Sequence, residues 1–189
     1  MKNQKRRERG FTLVEMLVVV AILFIAVMLS APYLSKQIQR SKLVGAANQI
    51  AGLMRLARLD AIKQSQFGCV TIDGRILGYG SVSGTCATRD RPLSGGEVVL
   101  AKNVSASVSG FTANVAVFRS DGSMPPEGLG EIRLEVPELS GGRHCMRVRV
   151  STAATGRILI EKWDAKTSAW HTNGDPKSWD WTPNAGNCP

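Results

Sequence analysis

One acidic side chain stands alone in an apolar stretch near the start of the chain. Between Phe11 and Leu29, Glu15 is the only ionisable residue, and Thr12 is the only other plainly polar one. A carboxylate inside a spanning helix is unfavourable, so such groups usually have a functional partner. The position of Glu15 therefore predicts that its carboxylate forms an ion pair with a positive group at the same depth in the apolar layer. The alternative is an interfacial Glu15 that extends to the lipid headgroups.

Three arginines share one face of a later segment. Strict alternation over 143–151 places Arg147 and Arg149 on one face of a strand. If the next strand returns as a hairpin, Arg157 lies near Arg149, and these guanidinium groups could bind phosphates. The alternative is a solvated sheet face on which arginines alternate with carboxylates. Those carboxylates are Glu131, Glu135 and Glu161.

Four cysteines indicate disulfide bonds. They are Cys69, Cys86, Cys145 and Cys188. In an oxidising compartment they could form two bridges, for which three connectivities exist. We favour Cys69 with Cys86, which closes the loop after the first hairpin, and Cys145 with Cys188, which ties the C-terminal tail to the sheet. No C-x-x-C pair or His/Cys cluster suggests a metal site.

Enzyme chemistry finds little support in the remaining residues. Neither His144 nor His171 has a serine, cysteine or acid at a spacing that predicts a nucleophile with its base. The Gly-Gly pairs at 95–96 and 141–142 lack the lysine or the strand-to-helix context of a phosphate-binding loop. We therefore expect no enzymatic activity, no catalytic residue, no metal and no cofactor.

Residues 11–30 are predicted to form a membrane-spanning helix. The 19 residues from Phe11 to Leu29 would make a helix of about 28 Å, close to the hydrocarbon thickness of a bilayer. Five basic residues and one acidic residue precede them, which favours a cytoplasmic N-terminus and export of the chain after about Ser30. Without residues 1–10, the formal charge falls from +9 to +5, which is weak support for nucleic-acid binding.

The period of apolar residues then divides the exported part. Steps of three and four continue over 31–66 and predict an amphipathic helix. A period of two follows over 67–162, with a hairpin at Asp73-Gly74. Further strands are predicted at 97–100, 114–118, 131–136, 143–151 and 156–162. This order predicts an α+β fold, with the long N-terminal helix packed on an antiparallel sheet or sheets.

The tail, residues 163–189, holds all four tryptophans among Asn, Gly, Pro and Asp. They are Trp163, Trp170, Trp179 and Trp181. The rings could pack over the sheet, or they could form an exposed aromatic platform for a neighbouring subunit or a ligand.

The junction Gly10-Phe11-Thr12-Leu13-Val14-Glu15, where charge ends before the apolar run begins, resembles the class III leader of type IV pilins and type II secretion pseudopilins. The resemblance implies that residues 1–10 are a leader and that a prepilin peptidase cleaves between Gly10 and Phe11. It further implies methylation of Phe11 and pairing of Glu15 with the N-terminal amine of a neighbouring subunit.

Later segments at 57–62, 118–122, 148–151 and 155–158 resemble successive landmarks of the FimT/GspH group of minor pilins and pseudopilins. The resemblance implies a structural subunit that helps to initiate or cap a type IV pilus or the type II secretion pseudopilus. Its implied partners are other minor and major pilins or pseudopilins, the prepilin peptidase and the inner-membrane assembly platform. Its implied location is the inner membrane, crossed once, with the C-terminal domain in the periplasm.

A DNA-binding minor pilin of the natural-transformation machinery is the alternative implied function. Some FimT proteins bind DNA through a Gly-Arg-x-Arg element. This chain has Gly156-Arg157-Ile158-Leu159, so the resemblance carries over to Arg157, while Leu159 replaces the second arginine.

Overall fold

The computed structural model describes residues 11–84, 86, 95–138, 141–172, 181–186 and 188–189, with the backbone alone at 31, 32 and 127. The leader 1–10, with Gly10, and Trp179 lie outside these residues. The chain divides into two units, one up to Gln37 and one from Ile38 onward.

The helix α1 runs over Leu13–Gln64. Within the first unit, its segment Leu13–Ser30 has a mean hydropathy of 2.8, is long and apolar enough to cross a bilayer, and is not buried. Thr12 caps its start, because the Thr12 Oγ1 accepts a hydrogen bond from the backbone N–H of Glu15 at 3.2 Å. α1 ends at Gln64, close to the predicted end at residue 66. The next residue, Ser65, adopts a left-handed φ of 52°.

Nine strands follow α1 in the described part of the second unit, in two antiparallel sheets. They are β1 (Phe67–Asp73), β2 (Ile76–Val82), β3 (Glu97–Val99), β4 (Ser105–Ser109), β5 (Val115–Phe118), β6 (Glu131–Pro137), β7 (Arg143–Val150), β8 (Ile158–Asp164) and β9 (Ala169–Thr172). The four-stranded sheet has the order β3-β2-β1-β5, and the five-stranded sheet has the order β4-β6-β7-β8-β9. This architecture confirms the predicted α+β fold class.

Two strands, β4 and β9, depart from the sequence-based expectation. β4 reads Ser-Ala-Ser-Val-Ser, so its inward residues are too few and too small to give a strong period of two. β9 lies in the tail, where its pairing with β8 places Trp170 opposite Trp163. The five-stranded sheet therefore continues past residue 162, because pairing with a neighbouring strand supplies the order that local periodicity does not show.

The core of the second unit lies between α1 and the inner faces of the sheets. Gly68 of β1 lets the sheet approach α1 closely, because a Cβ added at Gly68 would lie 2.1 Å from the carbonyl oxygen of Ala57. The buried apolar cluster includes Leu43, Ile50 and Met54 of α1, Val70 of β1, Phe118 of β5, and Ile132 and Leu134 of β6. All members of this cluster lie at or beyond Leu43, so the second unit has a core of its own.

Candidate functional site

The predicted assembly residues lie at the N-terminal end of α1. Phe11 is exposed just before the helix, and Glu15 is exposed in its first turn. A carboxylate is favourable in the first turn, because the backbone N–H groups there carry partial positive charge. Gly10 lies outside the described residues, so cleavage after Gly10, methylation of Phe11 and the pairing of Glu15 stay predictions.

The structure pairs the four cysteines in the connectivity that the sequence favoured. Cys69 of β1 is bonded to Cys86, with the Cα atoms 5.8 Å apart. Cys145 of β7 is bonded to Cys188, with the Cα atoms 5.7 Å apart. The second bridge therefore attaches the C-terminal tail to the middle strand of the five-stranded sheet. Among the described residues, no group of three His, Cys, Asp or Glu side chains is placed to hold a metal ion.

The tail is also held by its backbone. The N–H of Arg143 donates to the carbonyl of Asn184, and the N–H of Asn184 donates back to the carbonyl of Arg143, both at 2.8 Å. Gly142 makes this approach possible, because a Cβ there would lie 2.8 Å from the Asn184 carbonyl oxygen. Backbone pairing and the Cys145–Cys188 bridge thus fix the same short segment to β7.

The arginines of β7 form an ion-pair network on the outer face of the five-stranded sheet, which is the face that does not contribute to the core. Arg147 Nη1 lies 3.0 Å from Glu131 Oε2, and Arg147 Nε donates to Glu161. Arg149 Nε lies 2.9 Å from Glu161 Oε2. Strand register explains the network: Arg147 is directly opposite Glu161 on β8 and diagonal to Glu131 on β6, and Arg149 is diagonal to Glu161.

Arg157 occupies a different setting from Arg147 and Arg149. It is exposed in the turn before β8, where its carbonyl accepts a hydrogen bond from the N–H of Ser151 at 2.8 Å. Its guanidinium has no ion pair within the part of the chain that the structure describes. Of the three predicted phosphate-binding arginines, the structure brings two into one network with carboxylates and leaves the third outside it.

Two tryptophans extend the outer face beyond this network. Trp163 of β8 and Trp170 of β9 are half-buried cross-strand partners, with ring centroids 5.4 Å apart. The guanidinium carbon of Arg147 lies 4.4 Å from the centre of the Trp170 ring, a cation–π contact. Alternation of Glu161 with Trp163 was the sequence signal that could have placed an aromatic residue beside the arginines.

Trp181 packs on the core side of the domain instead. The Arg40 Nη2 of α1 donates to the Trp181 carbonyl at 3.3 Å. His144 of β7 meets the Trp181 ring edge-on at 5.4 Å, and the Lys162 Nζ of β8 lies 5.1 Å from the ring centre. Of the described tail tryptophans, Trp181 therefore packs over the sheet, and Trp163 and Trp170 lie half-buried on its outward face; an aromatic platform for a partner stays a prediction.

Three landmark segments of the sequence meet at one point of the fold. The Nε–H of Arg58 in α1 donates to the Gly122 carbonyl at 2.9 Å. A Cβ added at Gly156 would lie 2.5 Å from that same carbonyl oxygen. The N–H of Met124 also donates to the Ala153 carbonyl at 2.8 Å. This junction joins α1 to one loop from each sheet, which is a structural role.

Two family models match the chain. The prokaryotic N-terminal methylation motif matches residues 5–31, and the family described as type II transport protein GspH matches residues 46–154. The second match covers more than half of the chain. It begins at Ala46 in α1 and ends just after β7.

Among solved structures, the chain is similar to the type IV minor pilin FimU of Pseudomonas aeruginosa strain PAO1 in two crystal forms. The first has a TM-score of 0.47 and 21% identity, and the match covers 65% of this chain and 90% of that chain. The second has a TM-score of 0.42 and 22% identity, and the match covers 63% of this chain and 92% of that chain. No curated protein is significantly similar.

Proposed function

Since this chain belongs to the family of the type II transport protein GspH and begins with a prokaryotic N-terminal methylation motif, we propose that it helps to initiate or cap a type IV pilus or a type II secretion pseudopilus. It is a minor pilin or pseudopilin of the GspH/FimT type. Subunits of this class associate with other pilins or pseudopilins and with their assembly machinery.

One observation carries the assembly role: the apolar helical segment Leu13–Ser30 is exposed, and the buried core of the protein belongs to the second unit. Exposed apolar surface of this extent is stable only in a bilayer or against other apolar helices. In this proposal residues 1–10 are removed by the prepilin peptidase and Phe11 becomes the methylated N-terminus. Residues 11–30 first hold the subunit in the inner membrane and then enter the filament core.

In this proposal, Glu15 aligns each subunit with its neighbour during assembly. Its carboxylate pairs with the amine of Phe11 in a neighbouring subunit, because an unpaired charge in an apolar filament core is strongly unfavourable. The domain from Ile38 onward lies in the periplasm, where its two disulfides are stable.

Substitution of Glu15 tests the proposal in cells that assemble the filament. Glu15→Ala is expected to leave membrane insertion intact, because it removes an unfavourable charge, and to reduce incorporation into filaments. Glu15→Gln, which changes the charge but hardly the shape, should show the same defect. Glu97→Ala, at an exposed position of β3, is the control. Normal incorporation of both Glu15 variants would contradict the pairing.

DNA capture is supported less than a structural role. Arg147 and Arg149 are paired with Glu131 and Glu161, so this face offers little net positive charge to a nucleic-acid backbone. Of these three predicted arginines, Arg157 is the one that keeps an exposed guanidinium without a carboxylate partner among the described residues. A single such contact gives little affinity for duplex DNA at physiological salt, because affinity grows with the number of neutralised phosphates.

A further inference from the structure

On the outer face of the five-stranded sheet, the arginine side chains are more exposed to solvent than the carboxylates with which they pair. The arginine side chains retain 36% exposure at Arg133, 41% at Arg143 and 38% at Arg149. Their carboxylate partners lie deeper, with 16% exposure at Glu131, 28% at Glu135 and 3% at Glu161. A molecule that approaches this face therefore meets guanidinium groups first, although the charges nearly balance.

A hollow of about 320 Å³ opens beside Arg149 at one end of this face. The hydroxyl-bearing residues Ser109 and Ser151 and the charged pair Glu131 and Arg149 line it. The Nε and Nη2 of Arg149 lie against Glu161, while its Nη1 has no hydrogen-bond partner among the described residues. Glu131 in this lining is already paired with Arg133 and Arg147. The hollow can therefore receive a carboxylate, held by the Arg149 guanidinium and by hydroxyl groups.

The other end of the face is aromatic. Trp163 lies four residues along β8 from Leu159, the residue opposite Arg149, and four residues of strand span about 13 Å. Arg149 and the Trp163–Trp170 pair thus lie within one patch of ordinary interface size. Tryptophan and arginine are the residue types that contribute most to binding at protein interfaces.

We propose that this outer face docks an acidic surface of another pilin-like subunit. A partner carboxylate enters the hollow beside Arg149, and a partner apolar side chain packs against Trp163 and Trp170. The inference rests on the proposed function, which supplies the class of partner. The charge balance of this face favours a protein over a nucleic acid as its partner. Four arginines and three glutamates leave the face close to neutral, so it offers short-range pairing without the strong field that attracts a polyanion.

Photo-crosslinking in cells tests this docking surface. The full chain carries benzoylphenylalanine in place of Ser107, which is exposed on β4 directly opposite Arg133. Illumination is expected to give a covalent adduct with a pilin-like subunit, identified by mass spectrometry. The same group at Asn103, in an exposed turn, is the positional control and should give little of this adduct.

Charge reversal then tests the hollow. Arg149→Glu should reduce the Ser107 adduct by about tenfold, since it places like charges across the contact. Arg149→Lys should keep part of it. Arg55→Glu, a reversal on the exposed side of α1, is the matched control and should leave the adduct unchanged.

Failure of the inference and failure of the proposed function give different results. If the chain enters filaments but the Ser107 adduct is missing, or is insensitive to Arg149→Glu, the docking surface is wrong and the function stands. If the chain is never recovered with pilin-like subunits, the proposed function fails. Retardation of a duplex DNA probe by the second unit, residues 38–189, that is abolished by Arg149→Glu would overturn the inference in favour of nucleic acid.

Discussion

The Nε–H of Arg58 donates to the carbonyl oxygen of Gly122 at 2.9 Å, and this bond ties α1 to the loop that follows β5. The loop continues to Met124, whose N–H bonds to the Ala153 carbonyl between β7 and β8. One helix side chain therefore helps to set the position of both sheets.

Loss of the Arg58 side chain should destabilise the domain. Arg58→Ala leaves the Gly122 carbonyl without its charged donor, which should lower the free energy of unfolding by about 2 kcal/mol. Arg58→Lys should rescue only part of this, because an ammonium cannot reproduce the geometry of Nε–H. Urea unfolding of residues 38–189 measures both changes. Arg55→Ala, exposed one turn earlier, should change the stability by less than about 0.5 kcal/mol.

Gly156 should tolerate no side chain, whereas Gly74 should tolerate one better. Both have nearly the same left-handed backbone, with φ of +56° at Gly156 and +58° at Gly74. A Cβ at Gly156 would lie 2.5 Å from the Gly122 oxygen, and nothing lies within 4 Å of a Cβ at Gly74. We expect Gly156→Ala to destabilise by about 2 kcal/mol more than Gly74→Ala. Equal effects in thermal unfolding would disprove the steric argument.

Removing the two disulfides should affect stability unequally. The Cys69–Cys86 bridge joins residues 17 apart, and the Cys145–Cys188 bridge joins residues 43 apart. Loop-closure entropy predicts losses of about 3 and about 4 kcal/mol for the paired Cys→Ser variants. Chemical unfolding of each double variant tests the order. Peptide mapping of periplasmic protein without reductant should find these two pairs, and four alkylatable thiols would refute them.

Acidification should weaken the turn at Asp121. The Ser123 hydroxyl and then the Ser123 N–H, at 2.8 Å, donate to its carboxylate and hold the pKa of Asp121 below the ordinary 3.8. This stabilisation is complete above the unfolded pKa and is lost as pH falls through the folded one. NMR titration should show the lowered pKa of Asp121, and Ser123→Ala should raise it towards 3.8. An unchanged pKa of Asp121 in that variant would contradict this cause.

Processing should produce N-methyl-Phe11 in cells with a prepilin peptidase. Gly10→Val is expected to leave a heavier, uncut form in the membrane, because the residue before the scissile bond no longer fits the peptidase. Mass spectrometry of the intact subunit distinguishes the two forms. Cleavage after about Ser30 would instead indicate an ordinary secretory signal.

The sequence by itself determined the features that depend on residues close together in the chain. The apolar run with Glu15, the long helix and the alternation in β6 and β7 are all visible within a window of about one helix or strand, since a period of 3.6 or 2 is a local property. The leader junction is equally local, and the N-terminal motif found at residues 5–31 agrees with it.

Apart from the two disulfide pairs that the sequence analysis favoured, tertiary structure alone decided which distant residues meet. Register across β6, β7 and β8 paired Arg147 with Glu131 and Glu161, so residues that suggested a phosphate-binding patch became an ion-pair network. The residues of β9 show little periodicity, and they form a strand because they pair with β8. Arg58 and Gly122 are 64 residues apart in the chain, and only the packing of α1 against both sheets places the Nε–H of Arg58 beside the Gly122 carbonyl.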